Sequence, residues 1–404
     1  MILRARIVLP ISSPAIDDGA VLIKRERIVR VGKWAEFAGT REKVSDLGEV
    51  VLLPGLVNAH CHLDYTNLAI RRAGKSFTDW VREIIRRKNE WAIEDYRKSW
   101  VRGAHMLEAT GTTTVADIEA VPELLPWAWW QTPLRVCSFL EMTGVASGRA
   151  PKEILCDTLG RITKLKSSKD GTGLSPHALY STVPQLLKLS ATRSTKMRVT
   201  MHVAESEDEM QMYGRRKGEL FDWLSKFRDT SDCGGTTPVQ AVRRAGLLKP
   251  NFLAVHANYL TGNDVRLLAK SGASVVHCPS SHSYFGHRRF PYQQLARAGV
   301  NICLGTDSMA SMTGRELNMF TEMQQFARAN PKVSPVQILR MATRNGAWGL
   351  GLAGEAGELG NGFFADLIGV PFRGKKADLA DAVLYTRHLS AMFVGGKRLE
   401  CQRK

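Results

Sequence analysis

Between residues 52 and 350 one texture recurs eight times: a short apolar run, then a longer stretch with apolar residues at helical spacing. The runs are VLLPGLVNAH, TTTVAD, RVCSFLEMT, GLSPHALY, MRVTMHVAE, FLAVHANY, ASVVHCP and VNICLGTD. Strands this apolar suit a parallel sheet covered on both faces. Eight strand–helix units in about 300 residues fit a (β/α)8 barrel. The stretch Ser76–Trp91 shows the helical half of a unit. Trp80, Val81, Ile84, Ile85, Trp91 and Ala92 recur on one face, and Ser76-x-x-Asp79 offers a capping signal at its start.

The two ends read differently. ILRARIVLP, AVLIKRE and IVRVG in the first 50 residues, and ADLIGVP, AVLYTRH and AMFVGGKRL in the last 45, look like short strands between turns. The expected fold class is therefore α/β, a (β/α)8 TIM barrel with a small β-sandwich built from both termini. Residues 1–53 and 360–404 would form the sandwich and residues 54–359 the barrel. No solenoid-type repeat or long flexible linker is present.

Composition narrows the partners. No stretch of about 18 uninterrupted apolar residues occurs, so neither a spanning helix nor a membrane partner is expected. The seven cysteines, Cys61, Cys137, Cys156, Cys233, Cys278, Cys303 and Cys401, are scattered without a CxxC pair. They read as reduced thiols. The opening MILRARIVLPISSP lacks the long apolar core of a signal peptide, which makes the cytoplasm the expected compartment. Lys and Arg number 56 against 39 Asp and Glu, a net charge of +17. Such an excess raises nucleic acid, membrane surface or an anionic ligand as partners. The basic residues are spread along the chain, however, and no zinc finger, RRM or basic-helix signature accompanies them. A small-molecule substrate, anionic in character, is the consequence retained; nucleic acid is not expected. A homo-oligomer, a dimer, is the expected assembly.

The polar residues of the barrel units fall at the C-terminal ends of the strands, where barrel enzymes carry their active sites. His60 and His62 end the first run, and residues two apart in a strand point to the same side. Both can therefore face the barrel mouth and bind one metal. An HxH pair alone is a weak signal. His202 adds a third nitrogen and Asp307 an oxygen, and three His with one Asp around an open position describe a hydrolytic metal site. Glu205 lies three residues after His202, in place to act as an acid beside an activated water. Its competing role is a helix N-terminal carboxylate within Glu205, Glu207, Asp208 and Glu209. His256 suits a fifth ligand, an orienting residue, a general base or a satisfied core histidine.

These segments together resemble the amidohydrolase superfamily. LLPGLVNAHCHL is similar to its PGxxNxHxHL signature, SPHALYS to xPHAPYS, MHVAESEDE to its HxxE element, VHANYL to VHxxxL, HCPSSH to HCPxSN and LGTDS to LGTDS. GELGNGFFADLIGV resembles the GxLxxGxxADLxxx segment where such chains re-enter the small domain. The resemblance runs in order over almost the whole chain. It points to the branch of cytosine, adenosine, S-adenosylhomocysteine and aminodeoxyfutalosine deaminases, with triazine hydrolases and imidazolonepropionase as relatives.

Carried over by position, the resemblance implies one divalent metal, zinc with iron as the alternative, held by His60, His62, His202 and Asp307. Glu205, His256 and Asp307 would be catalytic: Glu205 as the proton shuttle, with Asp307 and His256 steering the proton of the attacking water. His177 would contact the substrate ring or ribose. Trp80, Glu141, Arg149, Ser280, His282 and Arg288 are the other expected substrate-binding residues. Binuclear relatives need a lysine at the end of the fourth strand. Here His177 stands in that region, and Lys164, Lys166 and Lys169 precede the strand, so one metal is expected.

Two departures bear on the substrate. HCPSSH places His282 where the pattern has Asn, and SYFGHRRFP continues with His287, Arg288 and Arg289. AIRRAG, with Arg71 and Arg72, only partly echoes the LxRG that usually follows the first strand. The implied activity is hydrolytic deamination of an aminated heterocycle, an adenosine-type nucleoside first. Another cyclic amidine, a cyclic amide or a halo-heterocycle is the alternative, followed by a non-catalytic, basic nucleic-acid-binding protein.

Overall fold

The computed structural model describes residues 1–68, 70, 76–145, 147–165, 171–193 and 197–400. Arg71, Arg72, Lys166, Lys169 and Cys401 lie outside the described residues. Both chain ends enter one mixed sheet. Strands β1 (Ile2–Val8), β2 (Ile16–Lys24), β3 (Arg27–Lys33), β4 (Val44–Asp46) and β5 (Val50–Pro54) come from the first 54 residues. A second, parallel sheet contains β6 (Leu56–Cys61), β7 (Thr112–Glu119), β8 (Arg135–Met142), β9 (Thr172–Pro176), β10 (Val199–Val203), β11 (Phe252–His256), β12 (Ser274–His277) and β13 (Ile302–Leu304). Strands β14 (Leu367–Pro371), β15 (Ala391–Val394) and β16 (Lys397–Leu399) then return to the first sheet. Its order is β16-β15-β14-β5-β1-β2-β3, with β4 beside β1.

The parallel strands follow one another in chain order from β6 to β13, and helices cover their outer face, as in a TIM barrel. The seam between β13 and β6 is closed by backbone: the N–H groups of Thr306 and Asp307 both donate to the carbonyl of His60 at 3.1 Å. This close approach requires glycine at 305, because a Cβ there would lie 2.8 Å from the same carbonyl oxygen.

Three expectations need correction. VLLPGLVNAH is not one strand but two, β5 in the terminal sheet and β6 in the barrel. The break falls at Gly55, where a Cβ would sit 2.2 Å from the Thr113 side chain, so only glycine lets the chain pass. AVLYTRH is not a strand either. Leu379–Leu384 is a helix that buries Leu379, Val383 and Leu384, an i, i+4, i+5 spacing that marks a helical face. The Ser76 cap is present: its side chain accepts from the N–H of Asp79 at the start of the helix Phe77–Lys88. That helix ends at Asn89, before Trp91 and Ala92.

A buried ion pair joins barrel to terminal sheet. Arg135 Nε, at the start of β8, donates to Asp366 Oδ2 at 2.6 Å, and both side chains are nearly sealed from solvent. Asp366 Oδ1 also accepts from the N–H of Gly395 at 2.7 Å. The six described cysteines are free thiols, with Cys156 exposed and the others buried. Among the described residues no helix is long and apolar enough to cross a membrane.

Candidate active site

Four side chains converge at the mouth of the barrel. One ligand atom from each of His60, His62, His202 and Asp307 lies within 4.8 Å of the others, and all four residues are buried. His60 sits on β6 and His62 follows its end, His202 comes from β10, and Asp307 follows β13. Hydrogen bonds preset two of them. His202 Nδ1 lies 2.8 Å from the carbonyl of His177; only N–H can face that acceptor, so Nε2 is left bare toward the site. Asp307 Oδ2 accepts from Ser311 Oγ at 2.8 Å, which leaves Oδ1 for the centre, 3.7 Å from His60 Nε2 and 3.8 Å from His62 Nε2.

This arrangement suits a cation. Among the described residues neither ring nitrogen of the fully buried His60 has a hydrogen-bond partner, and such orphaned polar atoms are costly. His62 Nε2 faces His202 Nε2 at 3.3 Å. Burial, reinforced by the neighbouring imidazoles, pushes the pKa of His62 and of His202 well below the ordinary value. Both rings are thus neutral, the form that ligates metal. Burial pushes Asp307 up, but its contact with His60 and the surrounding imidazoles outweigh that and hold it well below the usual carboxylate range. Three imidazoles and one carboxylate fit a divalent metal.

Beside this set stands a carboxyl in the opposite state. Glu205 is buried, and burial, with Asp307 and Glu209 adding to it, pushes its pKa well above the ordinary value. Glu205 is therefore a neutral acid, with Oε1 3.5 Å from His256 Nε2. Burial lowers His256 as well, leaving it neutral. Two neighbouring carboxyls driven apart in this way make one a base and the other an acid. The backbone here is strained: Ala204, His256, Ala257 and Asp307 all take positive φ, between 49° and 71°, without being glycine.

A cavity of about 420 Å³ opens onto three of the four, His62, His202 and Asp307. His62, His177, His202, Glu205 and Asp307 lie at its floor, whereas Trp80, Ile84, Val145, Trp223 and Phe227 give it an apolar wall. Lys88, Glu141 and Tyr65 form a polar wall. Lys88 Nζ contacts the Tyr65 hydroxyl and lies 3.9 Å from Glu141 Oε1. Glu141 Oε2 is buried without a hydrogen-bond partner among the described residues. His177 Nδ1 pairs with Ser181 Oγ at 2.8 Å, and burial, helped by Lys88, lowers its pKa to about 3.

Of the expected substrate-side residues, His177, Trp80 and Glu141 line this cavity, and Arg149, Ser280, His282 and Arg288 are not among its described lining residues. Arg149 is half-exposed and 3.5 Å from Asp157. The N–H of Ser280 donates to buried Glu322 at 2.8 Å. Arg288 stacks over the Tyr259 ring. His282 contacts Asn258. Sequence reasoning passed over Lys88, Ser311, Asn258 and Glu209. Lys88 reads as the basic end of a helix and Ser311 as a loop serine, and no local pattern separates them from those roles. Glu209 had a signal, its place in the acidic run after His202.

A parallel barrel with a buried three-His, one-Asp set at its C-terminal mouth defines a class of metal-type barrel hydrolases. Residues 51–399 match the amidohydrolase family, and the chain belongs to it. A 5-methylthioadenosine/S-adenosylhomocysteine deaminase of Moorella thermoacetica is 31% identical over 384 residues, covering 91% of this chain and 84% of that one. In fold the chain is similar to a zinc-bound adenosine deaminase from Xanthomonas campestris, with TM-score 0.85, 23% identity, and 98% and 92% of the two chains covered. It is equally similar to the Helicobacter pylori aminofutalosine deaminase complexed with methylthio-coformycin, with TM-score 0.85, 21% identity, and 99% and 100% covered.

Proposed function

We propose that this chain is a metal-dependent hydrolase that deaminates an adenosine-type nucleoside or a closely related aminated ring. The observation that carries the reading is the buried Glu205 carboxyl, which lines the cavity 3.5 Å from His256 Nε2 and beside the three-His, one-Asp set. The relatives' names support the substrate class. We read residues 1–53 and 360–404 as one small domain and 54–359 as the barrel, in keeping with the two separate sheets.

His60, His62, His202 and Asp307 would hold one divalent ion, zinc first. When bound, such an ion makes water a competent nucleophile near neutral pH. Asp307, ionised, accepts the proton lost by water, and His256 holds that water by a hydrogen bond. As oxygen bonds to the carbon bearing the amino group, Glu205 gives its proton to the adjacent ring nitrogen. The ring then does not accumulate negative charge. The proton held by Asp307 then passes to the amino group and the hydroxyl proton returns to Glu205, so that the C–N bond breaks, ammonia leaves and a carbonyl remains on the ring. Proton transfers of this kind contribute about 10²–10⁴-fold each. Glu141 Oε2, which has no hydrogen-bond partner among the described residues, suits a donor such as a ribose hydroxyl, with His177 beside it. The apolar wall excludes water from the ring.

The protein is expected to act in the cytoplasm as a homodimer on a small, anionic molecule, independently of nucleic acid. A screen for ammonia release by metal-loaded protein tests the reading, with adenosine, methylthioadenosine, S-adenosylhomocysteine and aminodeoxyfutalosine as the first panel. Release from at least one is expected; inactivity on all four, with activity on imidazolones or chlorotriazines instead, refutes it.

A further inference from the structure

The amide of Asn258 is buried between two partners. Its Nδ2 donates to the backbone carbonyl of Glu205 at 3.0 Å, and its Oδ1 lies 3.0 Å from His282 Nδ1. The first bond fixes which way the amide points, because a carbonyl only accepts. The amide oxygen must then face His282, and Nδ1 of that ring must carry a hydrogen. His282 is itself pinned, with its ring edge-on to His277 at 5.2 Å and to His287 at 5.5 Å. On its other side the Glu205 peptide donates its N–H to Glu209 Oε2 at 2.8 Å. Both ends of the residue that carries the acid are thus clamped, next to Ala204 in a left-handed conformation.

We propose that His282 is a positioning residue, which acts through Asn258 to hold Glu205 in place. The inference rests on the assignment of Glu205 as the acid. It also accounts for the departure of HCPSSH from HCPxSN. The amide nitrogen of Asn and Nδ1 of His stand the same number of bonds from Cα, so His282 keeps the donor of the motif while adding a ring that packs against its neighbours. Outer partners of this kind orient catalytic groups, and a displacement of about 1 Å costs about 100-fold in rate.

The test uses metal-loaded protein and three variants. His282→Leu removes the donor, His282→Asn restores it at the same distance, and His282→Gln carries it one carbon too far. His282→Leu and His282→Gln are expected to lower kcat at least about 10-fold with KM and metal content unchanged, and His282→Asn to recover most of that loss. Should the Leu variant fail to fold, the Asn–Gln pair decides. Long-range proton–nitrogen NMR, with His282 assigned by its disappearance in His282→Asn, is expected to show the Nδ1–H tautomer. Wild-type kcat in His282→Leu or His282→Gln, or an Nε2–H tautomer at His282, overturns the proposal. Absence of ammonia release from the wild type refutes the deaminase reading instead, and the tautomer, read in the same sample, still decides the relay.

Discussion

The N–H of Asp307 donates to the carbonyl of His60 at 3.1 Å, and the side chains of the same two residues face each other with Oδ1 3.7 Å from Nε2. The seam that closes the barrel is therefore also what sets two of the four candidate ligands in place. Asp307→Asn keeps the size of the side chain but removes its charge and its basicity. Turnover is expected to fall at least about 100-fold, with a lower metal content by elemental analysis. A variant with full metal and full rate excludes Asp307 from the ligand set.

Glu205 should be needed for chemistry and not for metal. Glu205→Gln is expected to lose about 10²–10⁴-fold in kcat while binding metal as the wild type does. The pH profile follows from the raised pKa. The protonated form is the active one, so activity stays high below the elevated pKa and declines as pH rises through it. A plateau extending through the alkaline range would assign the proton donor elsewhere.

Glu322 provides a stability test at a buried carboxyl outside the ligand set. Burial raises its pKa from 4.5 to about 8, against the opposing hydrogen bonds from Ser280. The folded chain therefore keeps a proton that the unfolded chain has already lost over that interval. With more protons bound in the folded state, stability falls as pH rises between 4.5 and about 8. In Glu322→Gln this part of the decline should vanish, so that its Tm gains on the wild type as pH increases. Parallel Tm curves for the two proteins across that range would remove Glu322 as a source.

Trp80 closes one wall of the cavity, and its indole N–H donates to the carbonyl of Ala310 at 3.0 Å. Trp80→Phe keeps an aromatic face and loses the bond; Trp80→Ala loses both. Loss of an aromatic contact is worth about 0.5–1.5 kcal/mol, so KM in Trp80→Ala should rise about 2- to 10-fold. Trp80→Phe should stay closer to the wild type. Equal KM values in all three would place the substrate against another wall.

The Arg135–Asp366 pair lies far in sequence from the ligands and joins the two sheets. Arg135→Met leaves a buried carboxylate without its cation, a change that typically costs about 3–5 kcal/mol. Chemical denaturation should register that loss, and kcat at a temperature where the variant is folded should not change. A stability equal to the wild type would show that Asp366 finds another partner.

The sequence by itself determined the barrel, because eight apolar runs with polar residues at their ends leave few other ways to bury the strands. It also determined the four-residue set, since His60, His62, His202 and Asp307 sit at strand ends that a parallel barrel gathers at one mouth. The tertiary structure decided what periodicity does not encode. Gly55 splits one apolar run between two sheets because Thr113 occupies the space of a Cβ, and Thr113 is distant in sequence. The apolar residues of Leu379–Leu384 serve a helix, a choice that a short run leaves open. Lys88 and Glu141 share a wall of one cavity, whereas Arg149 and Arg288 lie outside its described lining. Charge along the chain does not reveal which basic side chain folds inward. The protonation of Glu205, like the hydrogen-bond chain from His282, depends on burial and on distances between loops, which exist only once the barrel has closed.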